Sequence, residues 1–162
     1  MPYYIKKKPK KKPLFEKISC NSEVKTKRKP NLVAKLDKVF SIYIRLRDAM
    51  PNGYFRCISC GQIKRFDQAD CGHFYGRKHM ATRFDEDNCS AECSSCNRFV
   101  SDHLIGYQTN LIKKIGIGRF ELLGVKAHST KKWCDFELEA MIKHYTNEAK
   151  RLSSEKGIKV NI

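Results

Sequence analysis

Apolar side chains recur with helical spacing near the start and near the end of the chain. In residues 31–50 they fall at i, i+4, i+7, i+8, i+11 and i+14, one face of a helix: Leu32, Leu36, Val39, Phe40, Tyr43 and Leu46. The turn residues Pro51-Asn52-Gly53 end this helix. A second apolar face predicts a final helix that begins at Asp135 as N-cap and ends near Gly157. Both are core helices by this pattern.

The middle of the chain has a different pattern. Residues 62–92 lack helical periodicity, which favours a β-hairpin whose first strand centres on Asp70–Tyr75. A helix is expected from Cys96, interrupted near Ser101-Asp102, continuing to Ile115 and ending at Gly116. Residues 119–134 are ambiguous, and 120–123 can form a short helix. The predicted fold class is α+β.

Size and charge then narrow the class of protein. The chain has 162 residues, enough for one domain, and a formal net charge of +16, which points to a polyanionic partner and first to nucleic acid. Long apolar runs and a secretory signal pattern are missing from the sequence, so we expect neither a membrane span nor export. Eight cysteines in that setting favour metal binding in a reducing, cytoplasmic compartment.

The positive charge is concentrated in residues 1–30. They contain 11 Lys or Arg against two Glu, a net charge of +9, with proline between the basic runs. This composition predicts a flexible arm. Its lysines, among them Lys10, Lys11 and Lys12, either contact DNA phosphates or only aid solubility. We expect residues 31–162 to form a single domain with a helix over 31–50, a zinc-stapled core over 54–100 and a helical part over 101–157.

Two Cys-x2-Cys pairs are the strongest chemical signal. Cys57 and Cys60 are separated from Cys93 and Cys96 by 32 residues, a pattern typical of a tetrahedral structural zinc site. Cys89, four residues before Cys93, is the one serious competitor as a ligand. Cys20, Cys71 and Cys134 have no comparable spacing partner and are expected to be free thiols.

Between and beside the pairs lie residues that a zinc clip does not need. Asp70 and Asn97 offer oxygen ligands that suit Mg²⁺ or Mn²⁺, and His73 can take a proton from an attacking water. We expect a strand of the hairpin to present Asp70 and His73 side by side. The alternative for His73 is a structural zinc ligand.

This combination resembles the ββα-metal (His-Me finger, HNH-like) nucleases in their zinc-stapled form, and in particular the Holliday-junction resolvase endonuclease VII. The resemblance implies that Asp70 and Asn97 bind the catalytic metal and that His73 is the general base. The resolvase carries an acidic residue one turn after its Asn, where this chain has Val100, which implies one protein ligand fewer.

A closer resemblance, over about residues 36–152, is to the phage recombination protein family NinG, also called Rap. The motifs that carry it are Phe40-Ser-Ile-Tyr-Ile-Arg-Leu-Arg-Asp48, Cys57-Ile-Ser-Cys-Gly61, Gly72-His-Phe74, Arg83-Phe-Asp-Glu-Asp-Asn88, Cys93-Ser-Ser-Cys-Asn97 and Tyr107…Leu111-Ile-Lys-Lys-Ile-Gly116. The family implies binding and cutting of branched DNA, namely Holliday junctions and D-loops, inside a bacterial host cell. Asn88 stands where HNH-like nucleases often have an Asn that orients the catalytic His.

The sequence therefore predicts a metal-dependent, structure-selective DNA endonuclease. Arg77, Lys78, Arg83 and Arg98 are the DNA contacts expected in the core. A non-catalytic zinc-knuckle protein that binds branched DNA is the first alternative, and a protein that recruits other recombination proteins is the second. Helices over 103–115 and 136–152 offer apolar faces either to a homodimer or to the monomer core.

Overall fold

The computed structural model describes residues 31–162, so the basic arm expected over 1–30 lies outside the described residues. The described elements are α1 (Leu32–Asp48), β1 (Tyr54–Arg56), β2 (Ile63–Arg65), a short 3₁₀ turn (Phe66–Gln68), β3 (Ala69–His73), β4 (Cys89–Cys93), α2 (Ser94–Phe99), α3 (His103–Ile115), α4 (Ile117–Ala127) and α5 (Asp135–Lys156). Helices and two small antiparallel sheets together make an α+β fold, as predicted.

The first and last helices pack against each other and form the main core. The buried faces are those that the apolar spacing predicted, and they meet around the aromatic rings of Phe40, Tyr43 and Tyr145. Asn31 caps α1 by accepting a hydrogen bond from the Ala34 amide at 3.0 Å. At the other end, Lys156 donates to the carbonyl oxygens of Leu46 and Ala49, the last turn of α1, at 2.7 and 2.6 Å.

The start of α5 differs from the prediction by one residue. Cys134, not Asp135, is the N-cap, because its backbone is extended (φ −84°, ψ 160°) and its amide donates to the Glu137 carboxylate at 2.9 Å. Asp135 is the first helical residue, where its charge is favourable to the helix dipole. The apolar face of α5 is buried against α1 and belongs to the core of the monomer.

Two hairpins build the centre of the molecule. Strands β1 and β2 pair on either side of the first Cys-x2-Cys turn, and this hairpin was not predicted. Strands β3 and β4 form the predicted hairpin, with Cys71 opposite Ala91 and His73 opposite Cys89. All five residues of β4 are buried, since α1 covers one face and α3 contacts Ser90 and Glu92 on the other.

The remaining helices cover the second face of the hairpin. The helix that contains Cys96 begins at Ser94, two residues earlier than predicted. As expected, it is interrupted before Asp102, and α3 ends at Gly116, whose φ of +83° is in the left-handed region. The short helix considered at 120–123 is part of the longer α4. Tyr107 of α3 is buried and donates to the carbonyl oxygens of Gly72 and Asn88 at 3.0 and 3.2 Å, which fixes α3 to the ends of both strands. No helix between residues 31 and 162 has the length and apolarity needed to cross a bilayer.

Candidate functional site

The four predicted zinc ligands lie together. The sulfur atoms of Cys57, Cys60, Cys93 and Cys96 are all within 4.8 Å of one another, which is compatible with a structural zinc site. Cys57 follows β1, and the Gly61 amide donates to the Cys57 carbonyl at 2.9 Å to close the turn. Gly61 has a φ of +70°, a conformation that favours glycine. The Cys93 amide donates to Cys57 Sγ at 3.3 Å, a contact that suits a thiolate ligand.

Cys89 does not belong to this set. It lies with Cys71 and His73 in a second group whose ligand atoms are within 4.8 Å of one another, on the face of the hairpin that packs against α1. Cys71 and Cys89 are buried among apolar side chains there. Cys134 is exposed and outside both groups, and Cys20 lies outside the described residues.

Asp70 and Asn97, the expected magnesium ligands, are in contact. Asn97 Nδ2 donates to Asp70 Oδ2 at 3.1 Å, and Arg98 donates to both carboxylate oxygens at 2.8 and 2.9 Å. Burial acts to raise the pKa of Asp70, but these hydrogen bonds outweigh it and hold the pKa below its ordinary value. The site therefore keeps a negative charge on Asp70, and a surface arginine now neutralises that charge.

His73 is not beside Asp70 on the strand, so that expectation was wrong. Side chains of a strand alternate between faces, and two residues three positions apart lie on opposite faces. His73 instead faces the Cys71 side, where Nδ1 lies 3.2 Å from the Cys71 carbonyl oxygen and Nε2 lies 3.2 Å from that of Arg83. Only one of these contacts is a hydrogen bond when the ring is neutral.

A cavity of about 380 Å³ nevertheless joins the two faces at the free edge of β3. Its lining includes His73 and Asn97, together with Arg77, His103 and Leu104. Burial, and secondly the charge of Arg77, lower the pKa of His73, so its ring is neutral at pH 7. The cavity thus brings a neutral imidazole and the Asn97 amide to one open space, and Asp70 contacts Asn97 from outside the lining.

The Asn88 side chain forms no hydrogen bond with His73 and instead closes the loop between β3 and β4. Its side chain is fully buried, accepts from the Tyr75 amide at 2.8 Å, and donates to the carbonyl oxygens of Tyr75 and Thr82, both at 2.9 Å. It therefore fixes the backbone just after His73 and influences the imidazole only through the loop.

The predicted DNA-binding residues of the core divide into two kinds. Arg77 and Lys78 are exposed, and within residues 31–162 neither forms a salt bridge. Arg83 forms a paired contact with both carboxylate oxygens of Asp37, so its charge is already neutralised and it anchors the loop to α1. Arg98 is engaged by Asp70, and Lys10, Lys11 and Lys12 lie outside the described residues.

Comparison with known proteins places this architecture in a family. A family model described as "Bacteriophage Lambda NinG protein" matches residues 5–155. The chain belongs to the NinG family. It is 32% identical to "Protein ninG" of Salmonella phage P22 over 124 residues, which is 74% of this chain and 57% of that protein. It is 30% identical to "Protein ninG" of Escherichia phage 933W and 29% identical to that of Escherichia phage lambda, in both cases over 77% of this chain.

This NinG-family chain spans less than two thirds of the length of these relatives, at 57%, 60% and 59%. No solved structure matches it.

Three polar residues of the site were missed from the sequence. Glu92 is fully buried in β4, and its Oε1 accepts hydrogen bonds from the hydroxyl of Ser59 and lies 2.6 Å from His103 Nδ1. The only local signal was one acidic residue in a strand that is otherwise buried and uncharged.

Proposed function

We propose that this chain is a metal-dependent DNA endonuclease that hydrolyses phosphodiester bonds in branched recombination intermediates, namely Holliday junctions and D-loops. The observation that carries the proposal is the hairpin β3–β4 followed directly by α2, which brings Asp70 and Asn97 into contact beside the cavity that His73 lines. The order of two strands and a helix agrees with the ββα-metal, HNH-like fold that the sequence resembles, including endonuclease VII. Membership of the NinG family supports the branched-DNA substrate by the same resemblance.

Asp70 and Asn97 fit a divalent metal by the chemistry of their donors. A carboxylate and an amide oxygen are hard ligands of the kind that Mg²⁺ and Mn²⁺ prefer. Arg98, whose side chain is 59% exposed, already places a positive charge against Asp70, so this position favours a cation. A bound metal there would neutralise the charge that builds on the scissile phosphate. Asn97 would have to turn its amide to offer Oδ1 in place of Nδ2.

His73 is proposed as the general base. Its lowered pKa keeps the ring neutral and able to accept a proton at pH 7. To accept the proton of the attacking water, the ring gives up its contact with the Cys71 or the Arg83 carbonyl and turns one nitrogen to the cavity. Both contacts are 3.2 Å long, at the weak end of the hydrogen-bond range, so the turn costs little.

DNA binding is proposed to rest on distributed positive charge. Arg77 lines the cavity, Lys78 next to it in the chain is exposed, and the net charge of +16 favours binding to a phosphate backbone. The lysines of residues 1–30 would add affinity without sequence preference. Arg83 is left out of this set, because Asp37 already holds its guanidinium.

Two other functions use the same surfaces. A non-catalytic protein that binds branched DNA is favoured by one observation, the Asp70–Arg98 pair, which leaves Asp70 occupied. A homodimer, or the recruitment of other recombination proteins, would use the exposed apolar side chains Phe99 and Ile105, which are 82% and 70% exposed. Either assembly is compatible with the nuclease, since two active sites are needed to cut a four-way junction symmetrically.

The test is nicking of a synthetic four-way junction with and without Mg²⁺. We expect cleavage only with the metal, and loss of cleavage in Asp70→Ala and Asn97→Ala with partial recovery at high Mg²⁺ or Mn²⁺. A gel shift on the same DNA should show binding by all three proteins. Binding without any cleavage by the unmodified protein, across Mg²⁺ and Mn²⁺ concentrations, would favour the non-catalytic alternative.

A further inference from the structure

A buried carboxylate holds a second imidazole at the candidate site. Glu92 is fully buried, and its Oε1 accepts from the Ser59 hydroxyl and lies 2.6 Å from Nδ1 of His103. Its other oxygen, Oε2, is buried and has no hydrogen-bond partner among residues 31–162. Gly72 makes room for this carboxylate, since a Cβ added there would lie 2.9 Å from Glu92 Cβ.

Burying Glu92 in β4 costs free energy, and an apolar side chain at this position would pack without that cost. Burying a carboxylate removes its hydration at a cost of several kcal/mol. A positive charge beside the carboxylate can offset this cost. Of the basic side chains in residues 31–162, His103 is the one that pairs with Glu92. The hydrogen bond from Nδ1 of His103 to Oε1 of Glu92 offsets part of this cost, and the contact is an ion pair whenever the ring carries a proton on both nitrogens.

The other ring nitrogen of His103, Nε2, is free to take part in a reaction. No described residue hydrogen-bonds to Nε2, and this atom is not sealed from solvent, because Glu92 Oε2 is the single buried, unpartnered side-chain atom of the described chain. His103 lines the same cavity as His73 and Asn97. A carboxylate that fixes Nδ1 of an imidazole and leaves Nε2 free is the arrangement by which acid–base histidines are oriented.

We propose that His103 is a second catalytic residue of this cavity and protonates the 3′ oxygen that leaves the scissile phosphate, with Glu92 as its positioning residue. The inference rests on the nuclease function proposed above. The environments of the two rings suit different roles, His73 as the base and His103 as the acid. His73 faces carbonyl oxygens and Arg77, whereas His103 faces a carboxylate.

The proton and electron balance of the step is complete. The water oxygen forms a bond to phosphorus as its proton passes to His73. The bond between phosphorus and O3′ breaks, and its electron pair stays on O3′. That oxygen takes the proton from Nε2 of His103, which leaves a 3′-hydroxyl, a 5′-phosphate and a neutral His103 that still donates through Nδ1 to Glu92. Exchange with solvent restores both rings.

A junction with a bridging sulfur in place of O3′ at the mapped cleavage position tests this step. A thiolate leaves without protonation, because a thiol has a pKa of about 8.5, far below that of an alcohol. On the oxygen substrate, His103→Ala should cut roughly 10²–10⁴-fold more slowly than the unmodified protein. On the sulfur substrate the two should cut at similar rates. Mn²⁺ is used throughout, because it tolerates sulfur better than Mg²⁺ does.

Three further variants and one matched control complete the design. His73→Ala should be slow on both substrates, because it acts on the attacking water. Glu92→Gln should show the His103 pattern in weaker form, and His103→Gln, which can still donate to Glu92, should repeat it if His103→Ala fails to fold. His144→Ala, at an exposed position of α5, is the matched control and should be unaffected on both. Zinc content and junction binding are measured for every variant.

The outcomes separate this inference from the nuclease function. If His103→Ala and His103→Gln cut the oxygen substrate at the unmodified rate, or are equally slow on both substrates, the proposed role of His103 is wrong while the nuclease function stands. If the unmodified protein cuts neither substrate, the nuclease function fails and the inference fails with it.

Discussion

The carboxylate of Asp70 is held by the guanidinium of Arg98 through two hydrogen bonds, of 2.8 and 2.9 Å. Asp70 belongs to β3 and Arg98 to α2, so this pair also joins the hairpin to the helix that follows it. The same two oxygens are the ones that a divalent metal would use, and an arginine and a metal cannot both neutralise them. The Asp70–Arg98 pair therefore influences the metal concentration at which the site is half occupied.

Replacing Arg98 should ease metal binding. In Arg98→Gln the Asp70 oxygens lose their competing cation, so the Mn²⁺ concentration that gives half-maximal binding or cleavage should fall. Junction affinity should weaken only slightly, because one positive charge of many is removed. Arg151→Gln, an exposed arginine paired with Glu148 on α5, is the matched control. An unchanged Mn²⁺ titration in Arg98→Gln would mean that Asp70 does not bind the metal.

The zinc site should be structural. Cys57→Ser or Cys96→Ser should release about one zinc per chain and unfold the region between β1 and α2, because ligand binding and folding are coupled there. Cys134→Ser, which changes an exposed thiol outside the cluster, should keep both zinc and fold. Metal analysis beside circular dichroism measures this. Folded protein purified without chelator and free of zinc would contradict it.

Some parts of the fold were readable from the sequence and others were not. The helices α1 and α5 were predicted because their apolar faces repeat over four or more turns. The β1–β2 hairpin was missed because its strands have three residues each, and β1 buries only Phe55, so no alternation is visible. The β3–β4 hairpin was predicted because residues 62–92 lack helical periodicity.

The candidate site also contains parts that the sequence predicts and parts that it does not. The four zinc ligands and the Asp70–Asn97 contact follow from motif spacing. The Glu92–His103 contact does not, because it joins a strand to a separate helix and depends on how α3 packs. The faces of β3 were misjudged because a strand places Asp70 and His73 on opposite sides, and only the free edge of that strand brings His73 to the cavity with Asn97.

Gly72 should be essential for packing, in contrast to Gly118. A methyl group at Gly72 would meet the Glu92 side chain and would lie 3.0 Å from the Tyr107 ring, so Gly72→Ala should lower the free energy of unfolding by about 1–3 kcal/mol. Gly118 in α4 has open space around it, and Gly118→Ala should raise stability by about 0.5–1 kcal/mol. Urea unfolding measures both. Equal stability of the two variants would contradict the packing described around Glu92.

The pH dependence of cleavage should reflect the lowered pKa of His73. Its ring must be neutral to accept a proton, so activity should rise with pH through a pKa below the ordinary value of 6.5. Stability should follow in the same direction: between the folded and the unfolded pKa the unfolded chain binds more protons, so falling pH destabilises the fold in that window. A pH–rate profile under single-turnover conditions measures the first effect. An acid limb centred above pH 6.5 would show that another group is the base.

The most direct test of the proposed nuclease is the cleavage rate of His73→Ala on a four-way junction, measured beside a gel shift and zinc analysis of the same preparation. We expect cleavage to fall roughly 10²–10⁴-fold, with no recovery at any Mg²⁺ or Mn²⁺ concentration, while zinc content and junction affinity stay at the unmodified level. His144→Ala should cut normally. Cleavage by His73→Ala at the unmodified rate would contradict the mechanism, and loss of zinc from that variant would make His73 a structural ligand instead.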